Sequence, residues 1–296
     1  MIPARFDYVA PSTLDDAVTL LREHGGEAKV LSGGQSLIPM LKLRLAAPTV
    51  LVDIGRIDGL EYIEERDEAL HIGALAREAD LEQSAIVRDR YPLLYDTARV
   101  IADPIVRNSA TICGNVAHGD PGNDHPATMI ALDASFVLRG PNGTRTVAAR
   151  DFFVGLFTTA LEADEILTEV VIPAPAPRSG GAYFKLERKV GDFATAAVAA
   201  QVTLDTNGTC QRAGIGLTNV GPTPIRATNA EAFLQNKPLD AGTIAEASTL
   251  AASAAEPVAD RRGTEGYKRD LIRVLTSRAL TLAARRARGE TSNRGR

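Results

Sequence analysis

The sequence predicts an α+β fold in at least two parts. Three observations carry that reading. A βαβ-like unit fills the first ~55 residues, a sheet-forming block runs from about Ala182 to Thr218, and the chain beyond Thr228 is rich in Ala and Leu and mostly helical. The 296 residues suffice for one large domain or two smaller ones, each with a core of its own.

The elements follow in order. Ser12-Thr13-Leu14-Asp15-Asp16 supplies a hydroxyl cap and first-turn acids for a helix with Ala17, Val18, Leu20 and Leu21 on one face, stopped by Gly25-Gly26. Lys29-Val30-Leu31 reads as a strand, and Ser32-Gly33-Gly34-Gln35-Ser36 as its exit turn. Leu37 to Leu45 reads as a helix with Pro39 in the first turn, and Thr49 to Ile54 as a buried strand. Leu70 to Gly73 is strand-like. Helices are expected over Ala79–Val87 and Pro92–Ile101, followed by a loop-rich stretch from Asp103 to Asp124. Ser135–Leu138 and Ile166–Ile172 read as strands, the first followed by the turn Gly140-Pro141-Asn142-Gly143. Pro173-Ala174-Pro175-Ala176-Pro177 reads as a stiff linker. Past it, Ala182–Leu186, Ala196–Leu204 and Ala213–Thr218 form sheet, with a turn at Asn207-Gly208.

Composition narrows the function. Trp is absent and aromatics are scarce, so Ala, Val, Leu and Ile must build the cores. A net charge of -4 argues against a nucleic-acid partner, and the arginines after Arg285 read as a helix C-terminus and a frayed tail over 289–296. Neither a membrane-spanning run nor a secretory signal is visible, so a cytoplasmic protein is expected. Cys113 and Cys210 match no disulfide or zinc pattern and are too few for an iron–sulfur cluster, so any such cluster must sit on another chain.

Two small-residue turns could carry chemistry. Ser32–Ser36 lies between strand and helix, where exposed amides and a helix N-terminus receive phosphate, and Ser36 adds a hydroxyl. Thr111-Ile112-Cys113-Gly114-Asn115 offers a second set of donors with no acid inside it. Neither matches a Rossmann fingerprint or a P-loop. Taken alone, the turns indicate no more than a possible dinucleotide site, and a tight structural connection is the commoner reason for a Gly-Gly turn. His118, Asp120, Asp124 and His125 form a superficially metal-like cluster, better read as loop residues bound to backbone and solvent. Cys113 with a nearby histidine has no orienting group for a nucleophile.

The chain resembles the FAD-binding medium subunits of the xanthine dehydrogenase/aerobic carbon monoxide dehydrogenase family, from Met1 nearly to the C-terminus. The stretches that carry the resemblance are Leu31–Pro39, Ile101-Ala102-Asp103-Pro104, Thr111–Asn115, Gly119–Asp124, Lys189–Ala196 and Ile215–Val220. The last two, with Asp120–Asp124 and Ala148–Asp151, look most like the carbon monoxide dehydrogenase flavoproteins. The resemblance implies a two-lobed FAD-binding (PCMH-type) domain over residues 1–175, with subdomains of about 1–60 and 61–175. A C-terminal flavoprotein domain over 178–288, with a small antiparallel sheet and helices, would follow.

The same resemblance implies roles by position. Ser32, Gly33, Gly34, Gln35, Ser36 and Leu37, with Thr111, Cys113, Gly114 and Asn115, would cradle the FAD diphosphate. Asp124 would accept from an FAD hydroxyl, Lys185 would lie near the flavin, and Phe193 would stand by the isoalloxazine ring. Ile101 and Asp103 would line the cavity. Gln35 replaces a common histidine and Cys113 a common glycine.

No residue of this chain is expected to act as a catalytic acid, base or nucleophile. Substrate would be oxidised at a molybdenum cofactor on a large subunit. Electrons would pass through two [2Fe–2S] clusters on a small subunit to FAD and then to a quinone or other acceptor. The assembly would be a dimer of heterotrimers, associated through its partners with the inner face of the membrane. The preferred substrate is CO, oxidised with water to CO2. N-heterocycles, xanthine or aldehydes are the alternatives, and a stand-alone flavin oxidase or a non-catalytic scaffold are readings from other classes.

Overall fold

The computed structural model describes residues 2–290. The first unit is a parallel three-stranded sheet of β1 (Asp7–Val9), β2 (Ala28–Leu31) and β3 (Val50–Asp53), with β3 in the centre. Helices α1 (Leu14–His24) and α2 (Leu37–Leu43) connect these strands. Thr13 caps α1 through a side-chain bond from the Asp16 amide, and Ala17, Val18 and Leu21 are its buried face. β1 escaped the sequence reading: at three residues, it carries no hydrophobic alternation.

The second unit is an antiparallel sheet in the order β4 (Ile63–Arg66), β5 (Ala69–Gly73), β10 (Ile166–Pro173), β6 (Ser135–Gly140) and β7 (Gly143–Ala148). The Gly140–Gly143 turn closes the β6–β7 hairpin. Between β5 and β6 come α3 (Glu78–Gln83), α4 (Ala85–Arg90), α5 (Pro92–Ala98), α6 (Pro104–Arg107), α7 (Ile112–His118) and α8 (Asp124–Ala131). After β7 come the short α9 (Ala149–Phe152) and a two-stranded ribbon, β8 (Phe153–Gly155) with β9 (Thr158–Thr159).

Three expectations change here. The helix over 79–87 is two helices, because the Ser84 hydroxyl accepts from the Val87 amide at 3.3 Å and starts α4 afresh. The helix from Pro92 stops at Ala98, short of Ile101, before the chain turns through a left-handed Ala102 (φ 46). The stretch from Asp103 to Asp124 is largely helical rather than loop. Asp103 caps α6 and Thr111 caps α7, each by a side-chain bond to the amide three residues on, and these helices are too short to display a period.

The third unit is an antiparallel sheet of β11 (Ser179–Glu187), β12 (Ala194–Leu204), β13 (Cys210–Thr218) and β14 (Ile225–Arg226), followed by α10 (Thr228–Leu234), α11 (Ala241–Ala254) and α12 (Glu265–Ala287). β12 is buried on both faces. Ala196, Val198, Ala200, Val202 and Leu204 face the helical core, while Ala197 and Ala199 face Leu93 and Ala131 of the preceding unit. α8 rests directly on β13: a Cβ at Gly214 would lie 2.1 Å from the Ala131 carbonyl oxygen, and one at Gly216 2.0 Å from that of Ala127. Side chains also cross between the units. Asp133 pairs with Arg212 and Arg226, and Arg286 Nη1 donates to Asp96 Oδ2 at 2.7 Å. The tail expected over 289–296 lies, from 291 on, outside the described residues. Among the described residues no helix is long and apolar enough to cross a membrane.

Candidate functional site

The two turns converge. Ser32 Oγ, at the exit of β2, lies 3.1 Å from Thr111 Oγ1 at the cap of α7. Ser109 Oγ donates to the Gly33 carbonyl oxygen at 2.7 Å. Contact is so close that a Cβ on Gly33 would sit 2.1 Å from the Ser109 carbonyl oxygen. Gly34 adopts φ 74, a region that costs glycine nothing and other residues dearly. The sequence assigned these glycines to ligand approach, and Gly33 proves to serve the approach of one turn to the other.

The convergence leaves donors uncommitted. Among the described residues, no protein acceptor takes the amides of Gly33, Gly34, Gln35, Ser36 or Leu37, nor that of Cys113. Ser36 forms no side-chain cap, and the Asn115 side-chain oxygen is buried without a partner. Unclaimed amides at two facing helix starts suit a diphosphate, so the residues present fit FAD on this side. Cys113 offers this side only its backbone amide. Its thiol is buried, directed at the Ile72 carbonyl oxygen 3.9 Å away, and burial pushes its pKa far up.

A second group gathers beside the first. Asn123 Nδ2 donates to the Asn115 carbonyl oxygen at 2.9 Å and ties the start of α8 to α7. Asp124 is buried; Tyr183 donates to its Oδ1 at 2.6 Å and Lys185 to its Oδ2 at 2.9 Å. Burial pushes the Asp124 carboxyl up, against the opposing pull of Lys185 and Tyr183. Lys185 also donates to the Val100 carbonyl oxygen at 3.1 Å and contacts Glu187 at 3.3 Å. Its ammonium is therefore a fixed, enclosed charge rather than a free arm.

Phe193 is half exposed at the end of the β11–β12 connection, and its ring packs over Gly122. Gly191 of the same loop touches the Ala102 backbone, which brings the 101–103 segment alongside. Ile101 is buried there. Asp103 is exposed, with its carboxylate spent on capping α6.

Sequence reasoning missed several participants: Ser109, Asn123, Tyr183 and Glu78. Ser109 acts through a single polar bond to a residue 76 positions away, and Asn123 through one to a carbonyl eight positions back; neither is marked by a local pattern. His125 was read as a loop histidine bound to backbone or solvent. It lies instead inside α8, fully buried, with Nε2 2.7 Å from Glu78 Oε2. His118 packs on Phe157 with ring centroids 5.3 Å apart, and burial lowers its pKa.

Known proteins agree with this arrangement. Residues 4–175 match the family described as the FAD binding domain in molybdopterin dehydrogenase, and residues 181–283 match the CO dehydrogenase flavoprotein C-terminal domain. The carbon monoxide dehydrogenase medium chain of Hydrogenophaga pseudoflava is 47% identical, over 96% of this chain and 98% of its own. A solved structure of reconstituted CO dehydrogenase from Oligotropha carboxidovorans superposes with a TM-score of 0.94 at 44% identity, covering 97% of this chain and 100% of that one. Quinoline 2-oxidoreductase from Pseudomonas putida 86 superposes at 0.91 with 33% identity, covering 97% and 99%. A fold shared end to end with such proteins, and turns that leave their amides open to a diphosphate, have one reading: the chain belongs to the family of FAD-binding subunits of the molybdopterin dehydrogenases.

Proposed function

We propose that this chain is the FAD-carrying, electron-transferring subunit of a carbon monoxide dehydrogenase. CO and water would be converted to CO2 at a molybdenum centre on a large subunit, and the electrons passed through [2Fe–2S] clusters on a small subunit. The observation that carries the reading is the 3.1 Å meeting of Ser32 and Thr111, which brings two turns with unclaimed amides together, as a diphosphate would require. The near-complete match to carbon monoxide dehydrogenase medium chains supports the choice of substrate.

Bound FAD would supply a store of electrons exchanged between the clusters and an acceptor. The residues of this chain would do the holding. Amides of 33–37 and of Cys113 would receive the phosphates, with Gly114 and Asn115 shaping the second turn. Asp124 would meet an FAD hydroxyl with its remaining lone pairs. Lys185 would lie near the flavin with its charge offset by Asp124 and Glu187, so its part would be to hold the Asp124 carboxylate in place. Phe193 would stand by the isoalloxazine ring. Ile101 and the Asp103 backbone would line the same cleft. A dimer of heterotrimers, a quinone acceptor and a cytoplasmic location with membrane association through partners complete the proposal.

The native assembly tests it. Purification with its partners should give FAD, molybdenum and iron together, with anaerobic CO bleaching the flavin. Bleaching by an N-heterocycle but not by CO would favour a hydroxylase like the quinoline enzyme. Bleaching of the isolated chain by an alcohol or amine would favour a stand-alone oxidase.

A further inference from the structure

Three consecutive side chains leave the start of α8 in three directions. Asn123 reaches α7, Asp124 reaches Tyr183 and Lys185 on β11, and His125 reaches Glu78 on α3. The last contact differs in kind from the others. Glu78 and His125 are both 0% exposed, and Glu78 Oε1 and His125 Nδ1 are buried with no partner among the described residues. A buried ionisable pair with atoms left unsatisfied is a poor device for stability, since two apolar side chains of similar volume do as well or better. Its presence needs another reason.

Position supplies one. Glu78 opens α3, where its amide donates to the Ala110 carbonyl oxygen at 2.9 Å. Its neighbour Arg77 pairs with Thr111 in an isolated antiparallel bridge. The backbone of Glu78 thus grips the segment leading into the Thr111–Asn115 turn, while its side chain grips the residue beside Asp124. A directional bond at 2.7 Å fixes rotation of the helix end, which apolar contact does not.

We propose that the Glu78–His125 bond is a positioning link, which sets the Asp124 carboxylate against the second phosphate turn at the height where a hydroxyl of FAD meets it. Both side chains are fully buried, and both act through Asp124. The inference rests on the FAD reading above.

Two double variants of the purified assembly separate position from packing. E78Q/H125Q keeps a hydrogen bond between side-chain amides, whereas E78L/H125L fills the space without one. Circular dichroism first establishes that both are folded, and FAD affinity is then measured by equilibrium titration. The amide pair should bind FAD within about threefold of the natural protein and the leucine pair at least tenfold more weakly. Adding D124N provides the second readout. In that background the leucine pair should cost less than about threefold more, because linked groups are not additive. Natural-strength binding by the leucine pair, equal weakness of the amide pair, or a full tenfold loss repeated on D124N would each overturn the link. Failure of the natural protein to take up FAD would instead defeat the functional reading.

Discussion

Ser32 and Thr111, 79 residues apart in the chain, meet hydroxyl to hydroxyl at 3.1 Å. Thr111 does two things with one oxygen. It also accepts from the Gly114 amide at 3.2 Å and so caps α7. Replacing it with Val should remove both bonds, lowering stability by about 1 kcal/mol for the lost cap and weakening FAD binding. Ser32→Ala should weaken FAD binding less and leave the cap intact, and Thr111→Ser should behave as the natural protein. Equilibrium FAD titration and thermal unfolding of the three variants check the order.

Gly33 and Gly114 should not respond alike. A Cβ at Gly33 would strike backbone at Ser109 and Ala110, so Gly33→Ala must push the two turns apart, at about 1–3 kcal/mol. At Gly114 a Cβ would meet only the Thr111 hydroxyl at 2.8 Å, so the strain falls on the α7 cap and the bond to Ser32 rather than on facing backbone. Gly33→Ala is therefore expected to lose FAD and stability together. Gly114→Ala should lose part of its FAD affinity while the fold stands. Flavin absorbance per polypeptide, with unfolding midpoints, distinguishes the two.

Acid should loosen the contact between the second and third units. Burial alone would raise the Asp133 carboxyl, but Arg226 and Arg212 overcome it and hold the net value below the ordinary range. A carboxyl lowered on folding stabilises the fold above its unfolded value, about 3.9, and that contribution drains away as pH falls through the folded value. Asp133→Asn should lower the thermal midpoint at neutral pH, and its deficit should shrink as pH drops below about 4. A deficit independent of pH down to about 2 would contradict the assignment.

Both thiols should be silent in the native protein. Burial pushes the Cys113 thiol far up and the Cys210 thiol up to about 11. An aromatic disulfide reagent at pH 8 should label neither until denaturant is added, since the thiolate is the reactive form. Rapid labelling of a native thiol would show that one of the two sites opens.

The sequence was most legible where one residue's local chemistry decides the outcome. Thr13, Asp15 and Gly25 mark α1, and the nearly continuous apolar run of β12 matches a strand buried on both faces. It was least legible between Asp103 and Asp124, where helices of four and seven residues are made by side-chain caps and tertiary contact rather than by periodicity. The site divides in the same way. The turn at Ser32–Ser36 shows in composition, but its partner is set by Ser109 and Asn123, whose single bonds leave no trace in neighbouring residues. Lys185 was placed near the flavin as a cation, but the structure encloses it among Asp124, Glu187 and Val100, an environment visible only once the sheet is assembled.

The bare glycines of β13 have a mechanical consequence. With no side chains between Gly214, Gly216 and the carbonyls of Ala131 and Ala127, there is no cushion to compress where α8 seats on the strand. A displacement of the C-terminal sheet, such as a docked neighbour would impose, must reach Asp124 without slack, as a push on a beam arrives at its far end.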